Sequence, residues 1–191
     1  MPVLDIHVPE GKILWGHIFL IVCTLFYLAW WVVAFKPNSS AGMGKMVTLL
    51  AMASVAGIAG TILEIVGIRG VNDKKMLLPG SGILIGGVIA YVFLFFVTYL
   101  IFKRQVTTEL FLIVGWAVLE MCAVNALYGL GQFQLTAAIV FAVVIAAAAL
   151  ISLICYIFYY KLEQNAGYID GMIPLILAAV VMIAVTIKTA A

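Results

Sequence analysis

The stretch Leu135 to Tyr159, LTAAIVFAVVIAAAALISLICYIFY, contains no charged residue. A helix rises about 1.5 Å per residue, so one built over this stretch can cross a hydrocarbon layer of about 30 Å. Nothing else in the chain constrains its fold as much. In hydrocarbon every backbone N–H and C=O must find its partner inside the protein, which leaves only α-helices and closed barrels. Barrel strands alternate apolar and polar residues, and this stretch and its companions are too long and too uniformly apolar for that. Composition agrees: 66% of the 191 residues are hydrophobic and 9% are charged, against about 25% charged in soluble domains. The sequence therefore predicts an all-α, polytopic integral membrane protein, placed in the cell membrane.

Six spans are predicted, near 13–35, 46–68, 80–102, 109–130, 135–159 and 169–187, forming one transmembrane helical domain over residues 1–191 with both termini on the same side. The breaks carry turn formers and charge: Lys36-Pro37-Asn38-Ser39-Ser40, Arg69 to Lys75, Lys103-Arg104, Gly131 to Gln134, and Lys161 to Gly167. Pro9 and Glu10 suit a helix start. The first apolar run exceeds a signal-peptide core and lacks an A-x-A-like cleavage site, so it reads as a retained anchor.

Lys12, Arg69, Lys74, Lys75 and Lys188 fall on the side of the termini. Lys36, Lys45, Lys103, Arg104 and Lys161 fall on the other. The positive-inside rule thus assigns no orientation. The net charge of +2 gives no reason to expect a nucleic-acid partner; the expected partners are membrane lipid and other membrane subunits or further copies of the chain. Asn38-Ser39-Ser40 formally matches a glycosylation acceptor. Cys23, Cys122 and Cys155 lie within spans without C-x-x-C spacing, which reads as buried thiols rather than a zinc or redox centre.

Candidate functional residues are the polar groups inside the spans: His17, Glu64, Glu120 and Asn125. Ionisable residues at membrane depth are costly, usually face protein or water, and mark functional sites. On the second span Ala53, Gly57, Gly60 and Glu64 fall within an arc of about 60°, so a stripe of small residues, which permits close helix approach, carries the carboxylate into the bundle. Gly82, Gly86 and Ala90, and likewise Ala138, Ala142 and Ala146, repeat the stripe on the third and fifth spans. On the fourth, Asn125 shares a face with Gly115, Cys122, Ala126 and Gly129, whereas Glu120 points about 140° away. That helix needs neighbours on two sides and is expected to be the hub. His17, Glu64 and Asn125 are expected at similar depth, with Glu120 about 8 Å deeper.

Each residue also has a purely structural reading. Glu64 suits a protonated carboxyl bonded to backbone or to Thr61, Asn125 an interhelical hydrogen bond, and His17, beside Trp15 about one turn into its span, a headgroup-level position. Trp15, Trp30, Trp31, Tyr159, Tyr160 and Tyr168 suit interfacial belts.

Haem ligation by two imidazoles is not expected, because His7 precedes the first span. A carboxylate metal site from His17, Glu64 and Glu120 lacks a Glu-x-x-His pattern, and no metal or cofactor is predicted. The leading expectation is a small transporter or channel in which intramembrane carboxylates bind or relay a proton or small cation. The alternatives are a non-catalytic subunit of a larger membrane complex, and a membrane-embedded enzyme or lipid-binding protein.

Overall fold

The computed structural model describes residues 5–37, 42–72 and 75–190. The Asn38-Ser39-Ser40 acceptor and the Asp73-Lys74 part of the second break lie outside the described residues. Among the described residues seven α-helices follow in order: α1 Pro9–Phe35, α2 Met43–Arg69, α3 Gly80–Phe96, α4 Thr108–Gly129, α5 Leu135–Phe158, α6 Gln164–Asp170 and α7 Ile173–Ala190. A π-helical turn, Val97–Ile101, extends α3, and a 3-10 turn, Tyr159–Lys161, follows α5. Among the described residues there is no strand. Six helical segments are long and apolar enough to cross a membrane, with α6 and α7 together forming the last.

The outer surface fits that reading. Val55, Ile58, Ile85, Phe93 and Ile139 are each more than half exposed, a density of apolar surface that would drive aggregation in water and suits contact with lipid. Several hydroxyls inside the spans satisfy themselves locally, although that of Thr186 finds no partner. Thr24, Ser54, Ser152 and Thr189 each donate to the carbonyl four residues earlier at 2.8 Å. An ionised carboxylate has no such escape, because it only accepts and the helix N–H groups are already used.

Two packing units build the bundle. The first is the pair α1 and α2, in contact along most of its length. Glycines make this possible. A Cβ added to Gly16 would lie 2.8 Å from the Glu64 Cβ, one on Gly60 2.9 Å from the Gly16 carbonyl oxygen, and one on Gly67 2.9 Å from the Ile13 nitrogen. Of the predicted stripe on α2, Ala53, Gly60 and Glu64 are buried and Gly57 is half-buried against Cys23, while Ala56 and Gly67 join the buried line.

The second unit centres on α4, which packs against α3 and α5 and also touches α2 and α7. Its residues Ala123, Val124, Ala126 and Leu127 join Ile145 and Ala148 of α5, Val181 and Val185 of α7, and Ile13 of α1 in one buried cluster. The expectation that α4 is the hub agrees with these neighbours. α7 closes the ring by packing on both α1 and α5.

The stripes on α3 and α5 do not behave as the α2 stripe does. Nothing lies within 4 Å of a Cβ added to Gly82 or Gly86, and no residue of α3 is buried. α3 meets α4 on another face, where Gly87 seats the side chain of Val118. On α5, Ala138 is buried but Ala146 is exposed. The buried line there continues through Ile145, Ala148, Ser152 and Cys155.

Candidate functional site

Three of the four candidate residues meet inside the bundle. His17 of α1, Glu64 of α2 and Glu120 of α4 are 1%, 0% and 0% exposed. Each places one potential ligand atom within 4.8 Å of the other two. The location follows from the two packing units: the glycine contacts hold α2 so close to α1 that Glu64 lies beside Gly16 and His17, and the hub helix brings Glu120 to the same point.

His17 is enclosed between helices, 1% exposed. α1 begins at Pro9, which is favourable at the first helical position, and this puts His17 more than two turns into the helix. The expected offset of about 8 Å is not present: Nε2 of His17 and Oε2 of Glu120 lie 3.1 Å apart.

The hydrogen bonds fix how the imidazole is used. Nδ1 lies 3.0 Å from the carbonyl oxygen of Ile13. A carbonyl only accepts, so Nδ1 carries a proton and donates it. Nε2 lies 3.1 Å from Oε2 of Glu120, and one proton held between these atoms makes that bond. The pair is then neutral overall, whether written as imidazolium and carboxylate or as imidazole and carboxylic acid.

Glu64 is different. Its Oε1 lies 3.9 Å from Nδ1 of His17, beyond hydrogen-bond reach. Neither of its oxygens has a hydrogen-bond partner in the protein, nor has Oε1 of Glu120. The expected bond from Glu64 to backbone or Thr61 is absent among the described contacts. A fully buried carboxyl group with no partner is held there as the neutral acid or by a cation, since an isolated charge in such surroundings is prohibitively costly.

Asn125 belongs elsewhere. Its Oδ1 accepts from the backbone N–H of Leu77 at 2.9 Å and of Leu78 at 3.3 Å, while its Nδ2 donates to the Leu78 carbonyl at 2.7 Å. Asn125 thus ties the segment before α3 to the hub helix through three hydrogen bonds to backbone groups. Replacing it with leucine is expected to destabilise the protein by about 1–3 kcal/mol, because backbone groups lose their partner. Thermal unfolding in detergent measures this, and His17, Glu64 and Glu120 are untouched.

Two hollows flank the buried cluster. At the end of the bundle where α2 finishes, an open cleft is lined by Ile68, Arg69, Met76, Ser81, Leu84 and Cys122. Near the opposite end of α1 lies a cavity lined by Tyr27, Trp31, Glu109, Tyr156 and Asp170. Trp31 is buried, not a belt residue. Its indole packs on Gly171 and donates to the Tyr168 carbonyl at 3.1 Å, which pins the break between α6 and α7. Arg104, counted from sequence as a loop charge, is 8% exposed. Its guanidinium lies 3.5 Å above the Tyr156 ring and pairs with Glu109 at 3.2 Å.

Sequence reasoning missed Gly16, the residue that lets α2 approach and seats Glu64. The available signal was a glycine immediately before an intramembrane histidine. It also missed Arg104, for which a loop position next to Lys103 gave no sign of burial. Compared with known family models, curated proteins and solved structures, the chain matches none.

Proposed function

We propose that this chain is a small transporter of the cell membrane in which His17, Glu64 and Glu120 take up and release a proton or a small cation. The observation that carries the reading is the meeting of three ionisable side chains from three separate helices at one fully buried point, with carboxyl oxygens left unpartnered. A structural role alone would favour satisfied partners, as Asn125 has; buried groups with free acceptor capacity are suited to receiving something.

In liposomes with a pH gradient, Glu64→Gln and Glu120→Gln are each expected to reduce cation- or proton-dependent flux to background. Helical content and elution from a sizing column should stay as in the parent. Flux that persists in both variants overturns the reading.

A second reading, a subunit of a larger membrane complex or a homo-oligomer, draws on α3. This helix has no buried residue and presents Gly82 and Gly86 on an open face, the kind of surface on which another membrane helix packs closely.

A further inference from the structure

We propose that His17, Glu64 and Glu120 form a site for one divalent transition-metal ion, and that the ion exchanges there for two protons. This deepens the transport reading and rests on it for the purpose the site serves. The binding itself is argued from the site alone.

The donor set comes first. One imidazole nitrogen and two carboxylate oxygens suit first-row transition ions such as zinc or manganese. Magnesium and calcium prefer all-oxygen shells. Three protein ligands with a fourth position open is the usual pattern of a non-structural zinc site.

The arrangement of His17 is the independent observation. A metal-ligating histidine almost always gives its other ring N–H to a carboxylate, a backbone carbonyl or water, which fixes the ring and its tautomer. Nδ1 of His17 does this with the Ile13 carbonyl, and leaves the Nε2 lone pair pointing at the carboxyl of Glu120. Glu64 offers two unpartnered oxygens and Glu120 one, all fully buried. Ligand atoms around a tetrahedral ion lie roughly 3.4 Å apart, given metal–ligand distances near 2.1 Å. One ligand atom from each residue lies within 4.8 Å of the other two; Oε1 of Glu64 approaches the ring at Nδ1, 3.9 Å away, so the Glu64 carboxyl must rotate toward Nε2 to complete the shell.

Charge supplies the exchange. With His17 neutral and both carboxylates ionised, the cluster carries two negative charges, which a fully buried site does not tolerate uncompensated. Two protons compensate them, one shared between Nε2 of His17 and Oε2 of Glu120 and one on Glu64. A divalent ion compensates them equally well. Binding then forms one metal–nitrogen and two metal–oxygen bonds and releases both protons to solvent, so the cluster is neutral before and after. No redox change is involved. The other titratable side chain close to the cluster in the chain is Cys122, buried on α4 two residues after Glu120.

Titrating the purified protein in detergent with Zn²⁺, in weak buffer with a pH indicator, tests both parts. The proposal expects one ion bound per chain and about two protons released per ion. His7→Ala serves as a control for adventitious binding and should change neither number. Glu64→Gln and Glu120→Gln, which preserve shape, should weaken binding by at least ~100-fold, with helical content retained. Absence of binding in the parent overturns the site, as does binding that both variants keep. One ion bound with no proton release overturns the exchange. Carboxylate-dependent proton flux in liposomes without Zn²⁺ binding overturns the metal site and leaves the transport reading standing. Zn²⁺ bound as proposed, with no flux of any cation, upholds the site and overturns the transport reading.

Discussion

Replacing His17 with leucine is expected to destabilise the detergent-solubilised protein by about 3–5 kcal/mol, the range for removing one partner of a buried ionic pair. The substitution removes Nε2 and leaves Oε2 of Glu120 in a place that is 0% exposed, beside a second carboxyl that already lacks partners. Volume is not the problem, since leucine fills a similar space. The loss comes from polar groups left buried without compensation. Converting all three positions to apolar residues makes the contrast. His17→Leu combined with Glu64→Met and Glu120→Met is expected to recover most of the lost stability, because replacing a whole buried ionic cluster with packed apolar groups is often neutral or stabilising. Methionine is unbranched at Cβ, as glutamate is, so it respects the close approach of Gly16 to the Glu64 Cβ. The triple variant should fold well and be inert in flux and in Zn²⁺ binding. A His17→Leu protein that unfolds within ~0.5 kcal/mol of the parent contradicts the energetic coupling of the pair.

The triple variant also separates two reasons for keeping charge inside a membrane. If the cluster existed to hold three helices together, apolar replacement would cost stability. If it exists to exchange a ligand, apolar replacement costs only activity. The unpartnered oxygens favour the second reason, since a group selected for cohesion would be satisfied, as Asn125 is.

How much of this was legible depended on which helices could be counted on to touch. The burial of Glu64 was readable because it shares one face with Ala53 and Gly60, and periodicity survives translation into structure wherever a partner lies opposite. The same pattern on α3 misled for a physical reason: small residues permit close approach but do not compel it. Gly82 and Gly86 are simply open. Depth failed more quietly. Levelling His17 with Asn125 sets Glu120 about 8 Å deeper, five residues along α4, whereas the two side chains meet at 3.1 Å. The side-by-side arrangement of α1, α2 and α4 was beyond the sequence, because nothing in a single apolar helix states which of several neighbours it will choose.

Gly60→Val is expected to destabilise the protein by about 1–3 kcal/mol, the usual cost of overpacking, and to damage the site more than the fold. A Cβ at position 60 would lie 2.9 Å from the Gly16 carbonyl oxygen and 3.0 Å from the Leu20 nitrogen. Backbone atoms cannot rotate away as a side-chain tip can, so α1 and α2 must separate. Glu64 is one turn along α2 from residue 60, and His17 follows Gly16 on α1; separation therefore widens the gap between His17 and Glu64 directly. α4 still holds Glu120, so the His17–Glu120 contact is also strained as α1 moves. Zn²⁺ binding and flux should fall even in detergent conditions where helical content is unchanged. Gly86→Val is the matched control. It carries the same substitution in a membrane helix, but nothing lies within 4 Å of the added Cβ, and the isolated chain should keep its stability, binding and flux. If Gly86→Val instead changes the size of the particle that elutes from a column, α3 packs against another chain in the membrane. Equal effects of the two substitutions on Zn²⁺ binding would mean that closeness of α1 and α2 does not assemble the site.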